Sequence, residues 1–261
     1  MKKEIDGVRI QYSESGESGG RILLLHGWGC NISLMQPVAD RMGNSHRILI
    51  PDFPGHGGSG KPPEPWGVPE YSENLVRFLK EMDFLPCDVI AHSFGCRICT
   101  YIASEYPDSF RRMIMTGAAG IRPKQSDESR KKAETFKKYK SAAEKMKKIP
   151  FLHNAAASWE SRLRRKYGSP DYNALDEDMR KTFVKVISMD LTERYEKIRQ
   201  STLLIWGDRD TETPLWMGRE MEKRIPDSAL ILLEGGTHFA YLEQIDRFTA
   251  IAREFLKEDP E

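Results

Sequence analysis

Asp88-Val89-Ile90-Ala91-His92-Ser93-Phe94-Gly95-Cys96 is an apolar run that ends on a polar pair and restarts, with no spacer, on a helical pattern. Residues 89–91 read as a short buried strand, and residues 94–106 as the helix behind it. A strand that turns straight into a helix leaves Ser93 on a sharp backbone corner. Crowding at such a corner demands small residues two positions before and two after the serine. Ala91 and Gly95 meet that demand. A hydroxyl lifted clear of a sheet in this way suits nucleophilic attack, and the helix start directs its positive dipole end at any oxyanion formed there. An ordinary N-cap serine would have the same local sequence, so the partners of Ser93 must decide between the two readings.

Outward from this corner, strand-like runs recur at residues 22–25, 47–50, 113–115, 202–206 and 229–233. They are continuously apolar rather than alternating, as expected of a parallel sheet covered on both faces. Helical patterns at 68–82, 94–106, 215–225 and 246–256 complete an alternation that predicts an α/β, doubly wound fold. The opening IDGVRIQYSESG (5–16) sets an Asp-Gly turn between two short strands and predicts a hairpin at the sheet edge.

The alternation stops at Gly120 and resumes at Thr202. The predicted organisation is therefore a core of residues 1–120 and 201–261, with a mostly helical cap, residues 121–200, inserted between two strands. Pro123, Pro150, Gly168 and Pro170 are expected to cut the cap into several short helices. Placed at the carboxyl edge of the sheet, it would lie over the crevice where α/β proteins bind ligands. Residues 122–170 hold 15 Lys and Arg against 5 Asp and Glu, in a chain whose totals are 40 and 39. A solvated helical face accounts for such a run; attraction of an anionic substrate or surface is the sharper alternative.

The whole composition sets the outer limits. A chain of 261 residues, 39% hydrophobic and 10% aromatic, is a globular protein with a large core rather than a disordered one. No apolar run is long enough to span a membrane. A formal charge of +1 argues against a nucleic-acid partner. Four cysteines (Cys30, Cys87, Cys96, Cys99) and a basic start with no apolar segment behind it lead us to expect a reducing, cytoplasmic setting.

A serine hydroxyl needs a base, and the base an orienting acid. Of six histidines, His26, His46, His56, His92 and His153 lie in turns, near strand starts, beside the serine or in the cap; only His238 follows the last strand on a Gly-rich loop. Asp208 and Asp210 both follow the strand at 202–206, and Asp210 opens the turn Asp-Thr-Glu-Thr-Pro. The order Ser93, Asp210, His238, each at a strand's carboxyl end, is the order that the strand–turn–helix nucleophile implies. Backbone N–H groups of Phe94 and of Trp28, in the turn His26-Gly27-Trp28-Gly29, are the candidate oxyanion donors. Trp28, Phe94, Trp159 and Phe239 are candidates for an apolar acyl pocket, with core packing an equal reading for Trp159.

Two motifs are declined. Gly55-His56-Gly57-Gly58-Ser59-Gly60 matches a dinucleotide fingerprint, but Lys61-Pro62-Pro63 follows where a helix should open, so no nucleotide cofactor is expected. Cys96 and Cys99 have redox spacing but lie in the helix behind the serine, where buried thiols are expected. No cluster has metal-ligand spacing, and the expected chemistry uses neither cofactor nor metal.

With these motifs in place, the chain resembles the α/β-hydrolase family along its length: HGWG at 26–29, DFPGHGGSG at 52–60, AHSFG at 91–95, WGDRDTETP at 206–214 and GGTHF at 235–239. The resemblance implies a mostly parallel eight-stranded sheet with helices on both faces and a cap. It implies Ser93 as nucleophile, His238 as base, Asp210 as orienting acid, and Trp28 and Phe94 at the oxyanion. The HGWG turn is similar to that of small carboxylesterases of the pimeloyl-ester type, so a small-molecule ester with an apolar acyl part is the expected substrate. The serine context departs from the GNSMGG usual in relatives that cleave carbon–carbon bonds and from the GGSWGG of proline iminopeptidases. A ligand receptor with slow turnover, or a cofactor-independent lyase or C–C hydrolase on the same triad, are the alternative readings.

Overall fold

One sheet organises the computed structural model, which describes residues 1–16, 19–43, 46–122, 127–147, 149, 152–167 and 170–257. Among these residues the strands are β1 (Lys2–Ile5), β2 (Val8–Ser15), β3 (Gly20–Leu25), β4 (His46–Pro51), β5 (Cys87–His92), β6 (Phe110–Thr116), β7 (Ser201–Gly207) and β8 (Ser228–Leu233). They lie in the order β1-β2-β4-β3-β5-β6-β7-β8. The first two pairings are antiparallel and the rest parallel. The edge hairpin closes where Ile5 faces Val8, and Asp6 and Gly7 between them both have positive φ (52° and 74°), the backbone that a two-residue turn between twisted strands requires.

The apolar runs bury both faces of each central strand. Leu23, Leu25, Leu49, Val89, Ala91, Met113, Met115, Leu204 and Trp206 point to one face. That face is covered by α2 (Val68–Glu81), α3 (Phe94–Glu105) and α8 (Leu215–Arg224). Ile22, Leu24, Ile48, Ile50, Ile90, Ile114, Leu203 and Ile205 point to the other. There the cover is α1 (Ile32–Met42), α9 (Ala240–Glu243) and α10 (Ile245–Leu256). The period of two is complete, and every central strand needs helices on both sides to stay dry.

Helix α1 lies outside the expected set. Pro37 inside it removes a backbone donor and reads as a breaker, yet Met35, Val38, Ala39 and Met42 repeat at helical spacing and are all buried. Asn31 starts it, its side chain accepting the Ser33 N–H at 2.9 Å.

The chain divides into two compact units, Met1–Arg122 with Val184–Glu261, and Pro123–Phe183. Residues 184–200, which the sequence assigns to the cap, lie in the larger unit. Arg97 of α3 donates to the Val186 and Met189 carbonyls, and Leu191 N–H donates to Gly120 O at 3.0 Å. The smaller unit holds α4 (Asp127–Lys147), α5 (His153–Tyr167), α6 (Pro170–Ala174) and the start of α7 (Glu177–Ser188). Helix α4 runs for 21 residues, longer than expected, because no Gly or Pro interrupts 127–147. Of the expected breakers, Pro170 opens α6, while Pro123, Pro150 and Gly168 lie outside the described residues. Lys131, Lys137, Lys138, Lys145, Arg162 and Arg165 are exposed on α4 and α5. Among the described residues, no helix is long and apolar enough to cross a membrane.

Candidate active site

Ser93 separates β5 from α3 by a single residue, and its backbone bears the strain of that corner, with φ 50° and ψ −107°. The corner is held on both sides: Ser93 N–H donates to Thr116 O at 3.1 Å, and Gly95 N–H to His26 O at 3.2 Å. A Cβ on residue 95 would stand 2.8 Å from the Leu25 carbonyl oxygen, which is why the position after Phe94 must be glycine.

Two loops at the carboxyl ends of β7 and β8 complete the site. His238 Nε2 lies 3.0 Å from Ser93 Oγ, and His238 Nδ1 lies 2.8 Å from Asp210 Oδ2. The Nδ1–H donates to the carboxylate, which leaves Nε2 as the acceptor facing the serine hydroxyl. Asp210 also accepts the Thr213 hydroxyl on Oδ2 at 2.7 Å, and the N–H groups of Glu212 and Thr213 on Oδ1, both at 2.9 Å. Burial works against its charge, but the hydrogen bonds from His238 and Thr213 outweigh burial and hold the carboxyl below its usual range. Asp208, the other candidate acid, instead accepts Gly235 N–H at 2.6 Å and fixes the turn after β8.

Three neighbours escape sequence reasoning. Thr213 shares the Asp210 carboxylate with His238. Glu212 brings its Oε2 to 3.6 Å from His238 Nε2, on the serine side of the ring. His92, which the sequence places only beside the serine, donates Nε2–H to the backbone carbonyl of His238 at 3.0 Å. Its Nδ1 is buried without a hydrogen-bond partner among the described residues, and faces Gly27, where a Cβ would stand 2.9 Å away. Burial pushes this imidazole down to about 3, so the ring is neutral at ordinary pH.

Trp28 and Phe94 pack edge to face at 5.2 Å, with Phe53, His56 and Tyr71 around the Phe94 ring. Phe94 stands at the first position of α3, where a helix leaves its N–H groups without intrahelical acceptors. Phe239 is not with them: its ring lies against His92, His238 and Tyr241, on the face covered by α9 and α10. Trp159 belongs to the smaller unit, where its ring meets Tyr139 at 5.9 Å.

A family model described as the alpha/beta hydrolase fold matches residues 20–244. The chain belongs to the alpha/beta hydrolase fold family. Similar proteins include a pimeloyl-[acyl-carrier protein] methyl ester esterase of Neisseria meningitidis serogroup A, 24% identical over 91% of this chain and 77% of that one. Among solved structures, the enol-lactonase from Burkholderia xenovorans LB400 superposes with a TM-score of 0.75 at 19% identity, covering 99% of this chain and 100% of that one. A meta-cleavage product hydrolase from Pseudomonas fluorescens IP01 gives 0.72 at 18% identity, over 98% and 96%. These two likenesses concern the fold.

In this alpha/beta hydrolase the glycine loop after β4 serves the architecture. Asp52 is buried, and its carboxylate accepts Ile32 N–H at the start of α1 and Gly58 N–H, each at 2.7 Å. The loop's N–H group thus faces a carboxylate of the chain itself. All four cysteines of the hydrolase are free and buried, and burial raises the thiols of Cys87, Cys96 and Cys99 well above their usual range.

Proposed function

We propose that this protein hydrolyses small carboxylic esters through an acyl-enzyme on Ser93. The observation that carries the reading is the chain Ser93 Oγ, His238 Nε2, His238 Nδ1, Asp210 Oδ2, with links of 3.0 and 2.8 Å on a strained corner. His238 takes the serine proton as Oγ attacks the acyl carbonyl, and Asp210 stabilises the imidazolium. The backbone N–H groups of Trp28 and Phe94 hold the oxyanion. His238 then returns the proton to the departing alcohol. Water, activated by the same nitrogen, releases the acid and frees Ser93. An ester as the scissile bond is supported by the esterase name of the Neisseria relatives. Beside Trp28 and Phe94, an apolar acyl part is the fitting substrate half. Free, buried thiols suit a reducing compartment, and we assign the protein to the cytoplasm.

The test is turnover of p-nitrophenyl esters from acetate to decanoate by the wild type and by Ser93→Ala. The expected result is multiple turnover that falls by roughly 10^4-fold or more in the variant. A loss of only a few-fold removes Ser93 from the mechanism, and no turnover of any ester by a folded wild type removes the ester reading.

A further inference from the structure

The proton that leaves Ser93 must reach the departing alcohol oxygen through His238 Nε2, so that oxygen sits beside Nε2 when the acyl–oxygen bond breaks. Whatever else lies beside Nε2 therefore borders the alcohol half of the ester. The structure puts a carboxylate there: Glu212 Oε2, 3.6 Å from the same nitrogen. The relay has no need of it, because Asp210 already balances the imidazolium from the Nδ1 side at 2.8 Å. Its position is nonetheless built. Asp210 Oδ1 accepts the backbone N–H groups of Glu212 and Thr213, both at 2.9 Å, so the group that orients the base also fixes the backbone carrying Glu212. The Glu212 side chain is 62% exposed, and its carboxylate stays in water at the mouth of the site.

We infer that Glu212 makes the leaving-group side selective for esters of cationic alcohols, such as amino or quaternary ammonium alcohols; the inference rests on the ester-hydrolase reading above. An ammonium two carbons from the ester oxygen can swing toward that carboxylate to a separation of about 5 Å, a range in which a charge pair in water still counts. At such a distance, in a water-rich setting, one charge pair changes binding by roughly 3- to 15-fold. A neutral alcohol of the same shape gains nothing, and an anionic one loses by a similar factor. Because the pair is exposed, salt weakens the preference.

Choline and 3,3-dimethylbutyl esters of one acid are the probe, since the two alcohols share a shape and differ in charge. The quantity is the ratio of their kcat/KM values in the wild type, in Glu212→Gln and in Glu212→Lys. The expected ratio is roughly 3- to 15-fold higher in the wild type than in Glu212→Gln, and lower again in Glu212→Lys. High salt should narrow the wild-type ratio and leave that of Glu212→Gln in place. Hydrolysis of both esters at one ratio in all three proteins overturns this inference and leaves the ester reading standing. Hydrolysis of neither ester by a wild type that turns over p-nitrophenyl esters also overturns this inference; absence of p-nitrophenyl turnover as well overturns the ester reading, and the inference falls with it.

Discussion

His92 holds two loops at once. One nitrogen donates to the carbonyl of His238 and the other faces Gly27, in the turn that carries Trp28. The ring also packs against His238 at 4.7 Å and Tyr241 at 4.8 Å. It makes no hydrogen bond to Ser93 Oγ or to the His238 ring nitrogens; it sets where His238 stands. His92→Leu removes the donor and should lower kcat by roughly 10- to 100-fold with KM little changed, as expected when orientation is lost and binding kept. His92→Gln, which keeps an N–H at similar reach, should recover much of the loss. Equal losses in the two variants would mean that packing, not the hydrogen bond, is what His92 supplies. At this scale the meeting of Ser93, Asp210 and His238 was legible, because each follows a strand that ends at the same edge of the sheet. The bond from His92 was not, since its acceptor is a backbone carbonyl 146 positions away that no local pattern marks. Glu212 escaped for a similar reason: in sequence it is one acidic residue in an exposed turn.

Among the elements, α1 and the glycine loop stand or fall together through Asp52. Its two carboxylate oxygens take one N–H from each. Asp52→Ala would leave two donors without their acceptor and should lower stability by about 2–4 kcal/mol, read as a shift of the urea midpoint. A midpoint within experimental error of the wild type would show that water replaces the carboxylate. The strands were legible as apolar runs, and the hairpin at 5–8 as an Asp-Gly pair. Helix α1 was hidden by Pro37, although its four buried residues keep helical spacing; tertiary burial outweighs one lost donor there. The loop at 55–60 carried a nucleotide-like pattern whose use, cradling a carboxylate, depends on Asp52 folding back beneath it.

For the molecule as a whole, three buried imidazoles set the response to acid. Burial pushes His26 and His92 down to about 3 and His56 down to about 4, from an ordinary 6.5. Below 6.5 the unfolded chain takes up protons at these positions and the fold does not. Their contribution to stability is therefore complete above 6.5 and is lost as pH falls toward 4 and 3. With all three engaged the slope approaches about 4 kcal/mol per pH unit. Urea midpoints should drop steadily from about pH 7 to about pH 5, and a flat profile would contradict the burial of these rings. The interruption of the α/β alternation after Gly120 was legible. That residues 184–200 pack with the sheet's own helices was not, because that depends on Arg97 and Gly120, far away in sequence. Strands β6 and β7 are parallel neighbours, so the chain between them has to travel back along the sheet in any case. Gly120 and Leu191 already close that return with a backbone hydrogen bond, and the unit of residues 123–183 branches from within the closed segment. Closure entropy grows only with the logarithm of length, about 0.6 kcal/mol for a doubling. This stretch can therefore be lengthened, trimmed or exchanged at small closure cost, while the strand register that carries Ser93, Asp210 and His238 stays in place.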